Sequence, residues 1–130
     1  MKVIKSKTYV TLLWLITVIN ITCSKNTEDK IPTLLREKTY NPKSICDCND
    51  DGIEILNSIL IKRKQFDTIE LLTADKKASE YINLLKQNWK TMQYKCLKLF
   101  GPALMKPGGC NQPQNIQSIK DQLFKLGVRT

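Results

Sequence analysis

The chain has no histidine at all, and with it goes the side chain most often used as a general base or metal ligand near neutral pH. No Gly-x-Ser-x-Gly elbow seats a nucleophilic serine. Arginine is scarce: Arg36, Arg63 and Arg129 are the only ones, too few for an arginine-and-aromatic platform that binds nucleic acid. Gly108-Gly109 lacks the strand, helix and lysine of a phosphate loop. No segment alternates apolar and polar residues between hairpin turns, and no internal repeat occurs, which argues against sheet and solenoid folds. Acid is missing from Tyr81 to Lys120. These absences leave no catalytic residues to name, and the expectation is a chain that is not an enzyme and has no cofactor.

What is present begins with an address. Met1–Lys7 carries Lys2, Lys5 and Lys7 with no acid, and Tyr9–Ile21 is an apolar run of 13 residues broken only by Thr11, Thr17 and Asn20. A charged start followed by a core too short to span a bilayer is the anatomy of a secretory signal over residues 1–22. The run ends at Ile21-Thr22-Cys23-Ser24, which resembles the lipobox of bacterial lipoproteins, with Asn20 and Thr22 as departures from its usual residues. That resemblance implies acylation of Cys23 and a membrane-attached N-terminus. Ordinary secretion and a retained anchor are the alternatives. Ser24–Asp29 then resembles the polar, acid-containing tether of Bacteroidota envelope lipoproteins, and residues 23–44 are read as tether plus a short N-terminal segment.

Cysteine arithmetic favours the lipoprotein. Five cysteines sit awkwardly in an exported chain, but giving Cys23 to a lipid leaves Cys46, Cys48, Cys96 and Cys110, an even set suited to an oxidising compartment. The charge also shrinks with the leader: 21 basic residues less its three lysines, against 12 acids, leave +6 for residues 23–130.

The rest of the chain is organised around Asp75–Phe100. Here Ala78, Tyr81, Ile82, Leu85, Trp89, Met92, Cys96 and Leu99 recur at three- and four-residue steps, the period of one buried helix face. Lys86, Gln87, Lys90, Gln93 and Lys95 make the opposite face wet, and Gly101-Pro102 stops the helix. At about 1.5 Å per residue the rod is roughly 39 Å long. Ile31–Leu35 is expected to start a short helix that ends in a turn at Tyr40–Ser44. Ile53, Leu56, Ile59 and Leu60 predict a first core helix to about Lys64, capped by Asp50 or Asp51, with Phe66–Leu72 as connection and Thr73 capping the long helix. Ala103–Gln114 reads as a loop. A last helix from about Asn115 buries Ile116, Ile119, Leu123 and Leu126 and closes at Gly127, with Val128 completing a Schellman ending. The expected fold is all-α: an antiparallel hairpin plus a C-terminal helix over residues 45–130.

In such a hairpin the start of the first helix lies beside the end of the second, which brings Cys46 and Cys48 towards Cys96 and the loop bearing Cys110. A bond between Cys46 and Cys48 themselves is disfavoured, so each is expected to pair with one of Cys96 and Cys110, connectivity open. Asp47, Asp50, Asp51 and Glu54 are expected to meet Lys95 and Lys98 at this end. The series Cys46-x-Cys48, helix, linker, helix with Trp89 and closing Cys96 resembles a recurrent class of small helical-hairpin lipoproteins of the Bacteroidota, mostly without assigned function; Cys110 and the last helix lie outside that pattern.

One local motif competes. Asp47-x-Asn49-x-Asp51-Gly52 matches the opening of an EF-hand calcium loop, but Ser58 stands where the bidentate Glu belongs and Glu54 where an apolar residue is expected. A capped, disulfide-pinned turn is the simpler reading, and no metal ligand is assigned. The functional expectation is an envelope lipoprotein anchored through its N-terminal lipid that binds an envelope protein, as an immunity-type inhibitor of an exported toxin does. The alternative is a structural lipoprotein whose lysine-rich Tyr81–Lys120 stretch meets anionic surface polymer.

Overall fold

The computed structural model describes residues 40–130, and the readings of the leader, of Cys23 and of the Ile31–Leu35 segment fall outside them. The described part is all-α, with helices α1 (Ile45–Arg63), α2 (Ile69–Ala74), α3 (Lys76–Phe100) and α4 (Pro113–Lys125) and a 3₁₀ segment at Gly101–Met105. Its only bridge of β type is an isolated one between Gly108 and Asn111.

α1 begins earlier than its apolar residues suggest. Ser44 is the N-cap: its hydroxyl accepts from the Asp47 backbone N–H at 3.2 Å, and the Asp47 carboxylate accepts from the Ser44 N–H at 3.1 Å. This reciprocal capping box satisfies two donors that a helix start leaves free. The expected turn at Cys46–Gly52 is therefore the first two turns of α1, and neither Asp50 nor Asp51 caps it. A short helix likewise occupies the expected connection: Thr68 caps α2, accepting from Leu71 N–H, and Asp75 caps α3, accepting from Ala78 N–H at 2.9 Å. Thr73 caps nothing; its hydroxyl donates back to the Ile69 and Glu70 carbonyls.

α1 is the central element. Cys48 near its start is bonded to Cys96 near the end of α3, and Lys62 at its end lies over the Tyr81 ring near the start of α3, so the two run antiparallel. α4 runs parallel to α1: Cys46 is bonded to Cys110 just before α4, and Arg63 donates to the Leu126 carbonyl at its far end. The core is Ile55, Leu56, Ile59 and Leu60 of α1 against Ala78, Ile82, Leu85, Trp89, Met92 and Cys96 of α3, with Ile119 and Leu123 of α4 closing one side. Leu99 departs from the expected stripe and is 56 % exposed, because Cys96 already faces the beginning of α1 and one further turn of α3 passes beyond it. Phe100 is half-buried instead.

α4 ends as its sequence predicts. Gly127 takes φ 82°, Val128 N–H donates to the Leu123 carbonyl at 2.9 Å, and Gly127 N–H donates to Phe124 at 3.0 Å, the two bonds of a Schellman motif with Val128 buried against the core. No described helix is long and apolar enough to cross a membrane.

Candidate functional site

α3 and α4 both pack on α1 but scarcely touch each other. The space between them is a half-open groove of about 460 Å³, within the range of ligand and peptide pockets. Its floor is Trp89, Met92 and the Cys48–Cys96 bridge. Gly52 makes the floor possible: a β-carbon there would lie 3.1 Å from Trp89 Cζ3 and 3.2 Å from the Met92 methyl, so both side chains press directly on the α1 backbone. The walls are less well covered. Tyr94 and Leu97 of α3 are 68 and 54 % exposed, and Met105 of the 3₁₀ segment is 70 % exposed. Trp89 is buried, and its indole N–H has no hydrogen-bond acceptor among the described residues.

Buried amides hold the groove's end in shape. The Asn111 side-chain NH₂ donates to the carbonyls of Lys106, Leu104 and Ala103 at 2.8, 3.1 and 3.3 Å, closing the 3₁₀ segment that carries Met105. Asn49 Oδ1 accepts from Gln112 N–H at 3.0 Å and so ties the entry of α4 to α1. Polar residues with these partners fix backbone that would otherwise leave donors and acceptors unmet.

The four predicted cysteines are brought together as two bridges, Cys46–Cys110 and Cys48–Cys96, with Cα separations of 5.3 and 6.0 Å. That resolves the open connectivity and takes all four out of thiolate chemistry. The pair Cys48–Cys96 is buried, whereas Cys110 is exposed. Such bridges point to an oxidising, non-cytoplasmic compartment.

The calcium-like run is helical, and its oxygens are directed elsewhere. Asp47 serves the capping box and accepts from Lys43 N–H, Asn49 holds Gln112, and Asp51 accepts from the Tyr40 hydroxyl at 2.8 Å. Among the described residues no group of three His, Cys, Asp or Glu side chains is arranged to hold a metal. The backbone N–H of Lys43 and the Ser44 hydroxyl hold the Asp47 carboxyl below the usual carboxylate range. Burial first, and then Asp51 and Asp47, push the Tyr40 phenol well above its ordinary value. Tyr40 stands between the two charge groups at this end: its carbonyl accepts from Lys95 Nζ at 2.7 Å while its hydroxyl donates to Asp51 at 2.8 Å.

The groove itself is absent from the sequence reading. Its signal was there: Tyr94 and Leu97 are apolar residues on the α3 face otherwise read as wet, at the helical spacing that joins them to Lys90. Among the described residues the arrangement is a disulfide-braced helical scaffold with an apolar depression between α3 and α4. Comparison of the chain with protein-family models, curated proteins and solved structures finds no match.

Proposed function

We propose that this chain is a non-catalytic, exported binding module, tethered to a bacterial envelope through Cys23, that recognises a protein partner through the groove between α3 and α4. The carrying observation is the cluster of Tyr94, Leu97 and Met105, large and exposed around an apolar floor stapled by Cys48–Cys96. Aromatic and methionine side chains at the edge of a fixed depression are the composition of an interface core. Blocking the site of an exported toxin, as an immunity protein does, is one use of such a surface.

The alternative is a structural lipoprotein whose lysines hold anionic wall polymer. It rests on the acid-free Tyr81–Lys120 stretch, and that contact would weaken steeply as salt shortens the Debye length below roughly 8 Å. Photocrosslinking from Tyr94 and Leu97 in living cells separates the two, with exposed Leu71 on α2 as control. The expected product is one discrete protein adduct from the groove positions and none from Leu71. Adducts with polymer or lipid alone would sink the protein-binding reading.

A further inference from the structure

The groove has two helical walls, and each displays one face. Lys90, Tyr94 and Leu97 line it from α3 and Pro113, Ile116 and Lys120 from α4, both sets at the three- and four-residue steps of a single helix side. A slot between two helices that rest on a third is filled most completely by another helix, whose side-chain ridges settle into the grooves on either hand. Charge states which kind. Among the described residues no Asp or Glu lines the groove, and its ionised side chains are Lys90 and Lys120, one on each wall.

We infer that the groove receives an acidic amphipathic helix of the partner protein. Apolar side chains of that helix at i, i+3 or i+4, and i+7 settle over Trp89 and Met92, and carboxylates on its two flanks meet Lys90 and Lys120. This rests on the protein-binding reading above and adds the chemistry of the partner. An alkyl chain would fill the floor but leave Tyr94, Leu97 and Met105 uncovered.

The test selects displayed random peptides of about 16 residues, enough for four helical turns, on the full-length protein, with counter-selection on its Lys90→Glu/Lys120→Glu variant. Both lysines lie on the groove rim, away from the core, so the variant keeps its fold, which circular dichroism verifies. The expected consensus is net acidic with apolar residues at helical spacing. Synthetic peptides of that consensus should bind the charge-reversed protein about tenfold or more weakly and gain helicity on binding. A basic, neutral or extended consensus, equal affinity for the two proteins, or no enrichment overturns the inference. So does competition showing that oleate or phosphatidylglycerol vesicles bind the groove where peptides do not, or sedimentation showing that the groove closes on a second copy. A protein adduct at Leu97 in cells combined with a non-acidic consensus would refute the partner chemistry alone; absence of any protein adduct would refute the reading beneath it.

Discussion

Arg63 is a buried cation whose guanidinium donates through Nε to the Leu126 carbonyl at 2.9 Å and through Nη1 to the Phe66 carbonyl at 2.6 Å. Both acceptors belong to chain ends that a helix or turn leaves unpaired, and Leu126 lies at the negative end of α4. Arg63→Met keeps the apolar stem but strands two carbonyls, and the expected loss is about 2 kcal/mol, read as a lower urea midpoint at unchanged slope. The sequence gives no hint of this, since a basic residue in the last turn of α1 is what any exposed helix end would show. Asp47 offers a pH test. Its folded pKa is depressed by the Lys43 and Ser44 hydrogen bonds, so the stability it contributes is present above its unfolded pKa near 3.8 and is lost as pH falls through the lower folded value. Thermal midpoints should drop in acid below about pH 4, and Asp47→Asn should flatten that part of the profile; an unchanged acid limb would show that the capping box does not titrate.

At the scale of elements, what was legible followed the 3.6-residue period. The α3 stripe from Ala78 to Cys96, the Ile119 and Leu123 face of α4 and its Gly127–Val128 ending are all as the sequence reads, because each is decided by local spacing and backbone chemistry. What was not legible depended on partners far away. The first turns of α1 look like a polar knot because Asp47, Asn49 and Asp51 are read by type, whereas Asn49 and Asp51 find their partners 63 and 11 residues away in Gln112 and Tyr40; the local pair Ser44-x-x-Asp47 alone carried a capping signal. Leu99 keeps its period yet is exposed, since a stripe does not say where the opposing helix begins. Gly52 is the position where two elements depend on one missing side chain. A valine there adds three carbons into the space held by Trp89 and Met92, and overpacking of this kind should cost about 2 kcal/mol despite the better helix propensity. Displacing the Trp89 ring should also shift its emission, and a variant as stable as the parent with unaltered emission would show that the groove floor is not formed as described.

For the molecule as a whole, the two bridges determine whether the groove persists. Cys48–Cys96 spans 48 residues and Cys46–Cys110 spans 64, so the bridges are nested rather than independent. Closing the inner loop alone should stabilise the fold by about 4 kcal/mol through lost freedom of the unfolded chain. Once it is closed, the outer bridge restricts only about 16 further residues, the difference between the two spans, for about 3 kcal/mol more. Access ranks them the same way. Cys48 and Cys96 are buried in the groove floor, whereas Cys110 is exposed, and thiol exchange requires an attacking thiolate to reach the sulfur. Mild reductant under native conditions should therefore open Cys46–Cys110 first, with alkylation and mass mapping labelling Cys46 and Cys110 while Cys48 and Cys96 stay protected. That intermediate retains the pairing of α1 with α3 but frees the Gly108–Asn111 turn from the start of α1, so the α4 wall is held by Asn49–Gln112, by Ile119 and Leu123 and by Arg63 at the far end. Binding to Tyr94 and Leu97 should weaken in the singly reduced protein and vanish when Cys48–Cys96 also opens. Simultaneous labelling of all four cysteines, or full partner binding by the reduced chain, would show that packing alone maintains the groove and that the bridges serve only resistance to unfolding.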